Sequence, residues 1–244
     1  MRPSLTVEIW SDVVCPWCYI GKRRFETAAA QLRDEVDLEV VFRPYQLDPT
    51  ASPGKSQPVI EAYAKKFGGP ERAAQIIANV TDVAAGEGLA FHMDKALRAN
   101  TLLAHRLLFL AEATGQQYAL KERLLKAYFT DGLDIGDPDV LAECAAEVGL
   151  PADTVRAFLD TDDGTAEVRQ MLQIAADAEI TAVPTFVLDG RWAVPGAQDP
   201  ETFVNVIRRL LQRRLDEAAA QPPEPATEPA QEAADACTDE VCDV

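Results

Sequence analysis

The sequence predicts an α/β domain interrupted by an all-helical insertion and followed by a flexible acidic C-terminal tail. Three observations carry that expectation. Apolar and polar residues alternate near both ends of the folded part, at 5–10, 36–42 and 185–194. Over about 58–178, apolar residues recur at helical spacing with no convincing strand among them. From Asp216 onward Ala, Pro, Glu and Gln dominate and no aromatic residue occurs. Alternation marks half-buried strands, and recurrence every three to four residues marks amphipathic helices. A segment without large apolar side chains cannot offset the entropy of ordering.

The elements follow in order. Leu5, Val7 and Ile9 alternate with Thr6, Glu8 and Trp10, giving a first strand. Pro16 suits the first turn of a helix, and Ile20, Phe25, Ala28, Ala29 and Leu32 continue it. Leu38, Val40 and Phe42 alternate in a second strand, 36–42. Strand, helix, strand in this order makes a parallel pair with a right-handed crossover. Residues 43–57, rich in Pro, Ser and Gly, read as a loop. In the helical block, Leu102, Leu103, Leu107 and Leu110 form one stripe and Leu120, Leu124, Leu125, Tyr128 and Phe129 another. Asp137-Pro138 caps a helix bearing Val140, Leu141, Cys144 and Val148. Val155, Phe158 and Leu159 mark a short helix, and Val168, Met171, Leu172 and Ala175 a longer one. Strands return at Thr185–Leu188 and Arg191–Val194, joined by the hairpin dipeptide Asp189-Gly190. Asp199-Pro200 opens a last helix with Phe203, Ile207, Leu210, Leu211 and Leu215 on one face. The division expected is 1–57 with 179–215 as one α/β domain, 58–178 as the insertion, and 216–244 as the tail.

Composition narrows the functional classes. The 244 residues are 48% apolar and 26% charged, which is ordinary for a soluble globular protein and enough for a core without disulfide staples. The net charge is −17; residues 216–244 hold nine acids and no base, leaving −8 for residues 1–215. That balance opposes nucleic acid or an anionic membrane as partner. No apolar run of about 18 residues occurs, and the start MRPSLTVEIW has no apolar signal core. A cytoplasmic location is expected. Structural disulfides are rare there, so reactive Cys pairs are usually catalytic or regulatory.

The five cysteines are therefore read for chemistry. Cys15-Pro16-Trp17-Cys18 follows a strand and opens a helix. A helix N-terminus presents unpaired N–H groups and a partial positive charge, which favour a thiolate. Cys15 should thus titrate below the free value of ~8.5 and alkylate faster than Cys18. Cys18 lies one turn on, placed to displace a mixed disulfide. A zinc site would need four ligands, and no second pair at short spacing occurs in the folded part, so no metal is expected. Asp12 is a candidate proton acceptor for Cys18, or equally a loop carboxylate capping the following turn. Cys144, on an apolar helix face, reads as an inert buried thiol. His92 and His105 are the only histidines and read as surface or core residues. Trp10, Trp17 and Trp192 are candidates for an apolar surface by the cysteines, with Trp10 and Trp192 as readily core.

Cys15-Pro16-Trp17-Cys18 with Tyr19-Ile20-Gly21, then Ala182-Val183-Pro184-Thr185-Phe186-Val187 and Gly196-Ala197-Gln198, resemble the DsbA-like thioredoxin-fold oxidoreductases, FrnE-type branch. The resemblance spans about residues 4–215. It implies a thioredoxin fold with a helical insertion and a cis Val183–Pro184 bond facing the cysteines. It also implies a protein disulfide oxidoreductase or isomerase that needs no cofactor. Cys15 would attack protein disulfides, Cys18 would resolve, and a thioredoxin- or glutathione-type reductant would be the electron partner. Trp17 carries no charge, so a potential below the ~−120 mV of DsbA is expected. A kappa-class glutathione transferase or hydroxychromene-carboxylate isomerase has a similar fold and insertion but uses a Ser or a lone thiol. Retention of both cysteines opposes it. A soft-metal or partner-binding module is the remaining alternative.

Cys237 and Cys242 form a CX4C pair at the end of the tail. They are a candidate second redox pair, since residues 216–236 span about 25 Å as a coil. Asp235, Asp239, Glu240 and Asp243 should raise their pKa and send electrons toward Cys15–Cys18.

Overall fold

A computed structural model describes residues 2–220. The chain divides after Ile207 into two compact units. The first contains a four-stranded sheet and the helices that pack around it. Strand β1 (Ser4–Ser11) leads into helix α1 (Pro16–Leu32) and strand β2 (Asp37–Pro44). A two-residue ladder, β3 (Gln57–Pro58) with β4 (Leu97–Arg98), brackets α2 (Val59–Phe67) and α3 (Pro70–Gly86). Then come α4 (Leu102–Ala113), α5 (Gln117–Lys126) and a π-helical turn (Ala127–Asp131). They are followed by α6 (Pro138–Glu147), α7 (Ala152–Leu159) and α8 (Thr165–Asp177). Strands β5 (Thr185–Leu188) and β6 (Trp192–Pro195) complete the sheet, and α9 (Pro200–Ala220) closes the described chain. Arg208–Ala220 are the described part of the second unit.

The sheet order is β2-β1-β5-β6. β1 runs parallel to β2, with Val7 opposite Val40 and Ile9 opposite Phe42. It runs antiparallel to β5, with Ile9 opposite Phe186 and Trp10 opposite Thr185. This is the thioredoxin arrangement, with a helical insertion between β2 and β5. The antiparallel pairing has a consequence for the site. The C-terminal end of β1, which feeds Cys15, and the N-terminal end of β5, which follows Pro184, meet at the same edge.

Packing follows from the apolar alternation. Phe25 of α1 stacks on Phe186 of β5 (5.3 Å between centroids) and meets Phe203 of α9 edge-on (5.4 Å). A larger cluster joins Val13, Tyr19 and Ile20 to Leu107, Leu124, Tyr128 and Phe129 of the insertion. The hairpin turn has Asp189 and Gly190 both at positive φ, 51° and 63°, as a type I′ turn requires. Asp137 caps α6 by accepting the Asp139 N–H at 2.8 Å. The β3–β4 ladder is not evident in the sequence, because two residues cannot show a period of two.

Candidate active site

Cys15 is the N-cap residue of α1, with extended backbone, and Pro16 follows at the first helical position. The Cys18 N–H donates to the Cys15 carbonyl at 3.0 Å. Both thiols are unbonded to any other sulfur and buried, at 4% and 3% exposure, while Trp17 between them is 40% exposed. Cys15 and Cys18 share a buried apolar cluster with Trp10, Ala175 and Val183, and Tyr45, Ile180 and Val187 pack against it. Trp192 lies half-buried on β6.

The Val183–Pro184 bond is cis, and Cys15 Sγ donates to the Val183 carbonyl at 3.5 Å. Gly21 is what lets α1 approach this loop. A Cβ there would lie 2.9 Å from Pro184 Cγ and 3.3 Å from Ala197 Cα. The three segments quoted above, 19–21, 182–187 and 196–198, thus meet in space, and the missing side chain at 21 is the condition for it.

The two cysteines have different surroundings. Cys18 is within electrostatic range of Ser11 and of Lys121 on α5. Burial raises its pKa, but the Cys15 S–H, the Lys121 charge and Ser11 outweigh burial, and the net shift is downward. Cys15 is pushed well above the ordinary thiol range by its hydrogen bond to Cys18, then by burial and the Cys18 charge. Helix-terminus reasoning alone led to an acidic Cys15. In the folded chain the thiolate of the pair is favoured at Cys18 over Cys15, through the hydrogen bond from Cys15 and then the Lys121 charge. The two protons leave as those of a pair rather than of separate sites.

Asp12 is wholly buried. Its Oδ1 accepts from the Val13 N–H at 2.8 Å and from His105 Nε2 at 3.2 Å, and its Oδ2 accepts from the Leu47 N–H at 2.8 Å. His105 Nε2 also donates to the Tyr45 carbonyl at 3.0 Å. The carboxylate therefore fastens the 12–13 turn to the 45–47 loop and α4, with both oxygens accepting from these donors. That is the loop-carboxylate role. Its charge still opposes a thiolate at Cys15.

Three side chains near the sulfurs escaped the sequence reading. Lys121 is 1% exposed, with Nζ lacking a hydrogen-bond partner. Burial pulls its pKa down to about 8 against the opposing pull of the Cys18, Asp12 and Cys15 charges. Tyr63 of α2 is pushed up to about 12 by burial and then by Cys15. Tyr128, in the π-helical turn, is raised further by burial, Tyr63 and Asp12. One signal for Lys121 was present: it falls among Gln117, Leu120, Leu124 and Leu125, on the face α5 buries.

The remaining residues fall outside this cluster. Cys144 is fully buried on α6 and burial pushes its pKa to about 11, which makes it an inert thiol. His92 is exposed, with Nδ1 2.7 Å from the Thr130 carbonyl. Among the described residues no group of three or more His, Cys, Asp or Glu could hold a metal ion, and no helix is long and apolar enough to cross a membrane. Cys237 and Cys242 lie outside the described residues.

A buried dithiol on the first turn of α1, beside a cis-proline loop and under a helical insertion, defines a thioredoxin-fold protein of the CXXC type. Residues 6–208 match the DsbA-like thioredoxin domain family, and the chain belongs to it. It is 37% identical to the structure of a probable DsbA oxidoreductase, SCO1869 from Streptomyces coelicolor. That match covers 98% of this chain and 99% of the other, with a TM-score of 0.77. It is 30% identical over 206 residues to YwbO of Bacillus subtilis (strain 168), an uncharacterized protein, covering 84% of this chain and 96% of that one. The cytosolic disulfide reductase DsbM from Pseudomonas aeruginosa, in a structure with GSH, shares the fold at 18% identity. Its TM-score is 0.59 over 85% of this chain and 99% of that one.

Proposed function

We propose that the protein is a thiol–disulfide oxidoreductase of protein substrates, in which Cys15 attacks and Cys18 resolves. The observation that carries this reading is the asymmetry of the pair. Cys15 donates to the Val183 carbonyl at the meeting edge of β1 and β5, whereas Cys18 is the sulfur whose thiolate the buried surroundings favour, through Cys15 and then Lys121 and Ser11. The outer sulfur suits an incoming disulfide and the inner one suits intramolecular displacement.

The chemistry balances without a cofactor. Cys15 attacks one sulfur of a substrate disulfide, its thiol proton passing to the Cys18 thiolate as it does so. The substrate S–S bond breaks, a mixed disulfide forms, and the first substrate thiolate leaves and takes up a proton. Cys18 then attacks Cys15 Sγ, the mixed disulfide breaks, and the second substrate thiolate leaves. Two electrons pass from the dithiol to the substrate, and a thioredoxin- or glutathione-type reductant restores the dithiol. An extended substrate segment would pair with the Val183 backbone ahead of Pro184 as an added strand. The SCO1869 likeness supports the oxidoreductase class, and DsbM offers a precedent for this fold as a disulfide reductase.

The test is insulin disulfide reduction with dithiothreitol. Wild type should accelerate it, Cys15→Ser should abolish it, and Cys18→Ser should trap a mixed disulfide at Cys15. Mixed disulfide trapped at Cys18 instead, in Cys15→Ser, would reverse the roles. Glutathione conjugation without insulin reduction would move the chain to the glutathione-transferase reading. Truncation after Leu215 reports on the tail: unchanged turnover would make Cys237 and Cys242 dispensable.

A further inference from the structure

Gly196-Ala197-Gln198 turns the chain out of β6, and its backbone is held from two sides. The Gly196 N–H donates to the Pro184 carbonyl at 2.7 Å. Gly196 does so at a φ of 82°, a conformation that glycine adopts without steric cost. The Ala197 carbonyl accepts from Arg24 Nη1 at 2.8 Å. Arg24 lies on α1 three residues beyond Gly21, and residues so spaced share a helix face. Gly21 is where Pro184 Cγ and Ala197 come closest to that helix. The contacts close a ring. Cys15 Sγ meets the Val183 carbonyl, Pro184 meets Gly196, Ala197 meets Arg24, and α1 leads back to Cys15.

The guanidinium is itself held from the insertion. Arg24 Nε donates to Glu87 Oε1 at 2.6 Å, between side chains that are 18% and 22% exposed. Asp199 Oδ1 lies 3.4 Å from Nη1, but its side chain is 78% exposed, and so open a pair adds little. Glu87 is the C-cap residue of α3, with its N–H on the Ala84 and Ala85 carbonyls. The Leu89 N–H returns to the Ala84 carbonyl at 2.9 Å, and Ala84 and Leu89 are both buried, so the turn that carries Glu87 is fixed. The C-terminus of a helix disfavours a carboxylate. Glu87 therefore gains nothing from its own helix and is offset by Arg24. A lysine could not make the same span, because its single ammonium lacks the planar fork that serves two acceptors in different directions.

We propose that Arg24 is a positioning residue for the substrate edge and that Glu87 aims it: the guanidinium holds Ala197, Gly196 holds Pro184, and the Val183 backbone is thereby kept against Cys15. This deepens the oxidoreductase reading and rests on it. The helical insertion then contributes to the site through Glu87 without touching substrate. The ring acts on two kinds of reaction in opposite senses. A carbonyl oxygen 3.5 Å from Cys15 Sγ favours the thiol over the thiolate, and the sulfur is only 4% exposed. Loosening the ring should therefore make Cys15 more reactive toward a small reagent. A polypeptide disulfide needs an ordered Val183 backbone to pair with, so the same loosening should weaken its docking.

The experiment compares the full chain with Arg24→Ala, Arg24→Lys, Glu87→Ala and Glu87→Gln. Iodoacetamide labelling of the reduced protein is followed at each cysteine by peptide mass spectrometry. In Arg24→Ala, labelling at Cys15 should be roughly 3–10-fold faster, the range in which one lost contact changes a thiolate fraction. KM for a disulfide-bonded peptide should rise by about 10-fold, short of the ~100-fold that a 1 Å misplacement can cost, and kcat should change less. Arg24→Lys should follow Arg24→Ala, because charge alone does not hold Ala197. Glu87→Ala should move both readouts in the same direction by less, and Glu87→Gln, which keeps an acceptor at the same atom, should recover most of the wild-type behaviour. Buried Cys144 reports global opening: labelling there that rises in step with Cys15 would mean loss of fold and overturn the proposal. Unchanged labelling and KM in Arg24→Ala would overturn it as well, and wild-type behaviour in Glu87→Ala would remove the insertion from it. If wild type reduces no disulfide, faster labelling of Cys15 in Arg24→Ala would sustain the link from Arg24 to Cys15 and remove the enzymatic reading instead.

Discussion

Gly21→Ala sets two opposing effects against each other at one atom. A helical glycine replaced by alanine gains about 1 kcal/mol from reduced backbone freedom in the unfolded chain. Here the new Cβ would lie 2.9 Å from Pro184 Cγ and 3.3 Å from Ala197 Cα and Cβ. The first contact is roughly 0.6 Å inside the ~3.5 Å at which carbon atoms begin to pack well. The struck atoms belong to a proline ring and a backbone, neither of which can rotate away. Overpacking of this kind costs about 1–3 kcal/mol, so the net change is a destabilisation of about 1 kcal/mol. For a chain of this size that lowers the melting temperature by roughly 2–4 °C. Relief by movement would carry Val183 away from Cys15, whose Sγ is 3.5 Å from the Val183 carbonyl, so the reactivity of Cys15 toward an alkylating reagent should change as well. Gly86→Ala, at the end of α3 with nothing within 4 Å of the added Cβ, supplies the control and should be stabilised by up to about 1 kcal/mol. Equal stabilisation of both variants in thermal unfolding would refute the claim that Gly21 is a packing requirement.

Asp12→Ala should lower stability by roughly 3 kcal/mol, because it strands the buried Val13 N–H and frees the Leu47 N–H and His105 at once; Asp12→Asn, which keeps one acceptor, should lose about half as much in urea midpoints. Cys144 should make stability fall with rising pH. Above about 8.5 the unfolded chain loses this proton while the folded one, with its thiol pushed to about 11, retains it. The difference in stability between Cys144→Ala and parent should therefore shift in the variant's favour by about 1.4 kcal/mol per pH unit from about pH 9 to 11. Lys121 acts in the opposite sense: from about pH 8 to 10.4 the unfolded lysine keeps a proton that the buried one has lost, so stability rises there, and Lys121→Met should abolish that rise. Denaturant midpoints measured across the alkaline range in the single variants separate the two contributions.

Much of this molecule was legible one residue at a time. The alternation at 5–9, 38–42 and 185–188 defines strands because side-chain direction repeats every two residues. Asp137-Pro138, Asp189-Gly190 and Pro16 mark a cap, a hairpin and a helix start through local stereochemistry that needs no partner. Cys15 and Cys18 were placed correctly on a first helical turn because their spacing is shorter than that turn. What the tertiary structure decided is who stands beside those sulfurs. Val183 reaches Cys15 only because β5 pairs antiparallel with β1. His105 meets Asp12, and Glu122 meets Tyr19 across 103 residues of chain. In sequence Lys121 resembles any solvated lysine, and its charge becomes chemically distinctive only when α5 is pressed onto α1 and water is removed. The shift of thiolate preference from Cys15 to Cys18 has the same origin. A helix terminus acts on whichever sulfur is near it, but a buried cation and a neighbouring thiol act more strongly, and their positions belong to packing between distant segments, which no local pattern encodes.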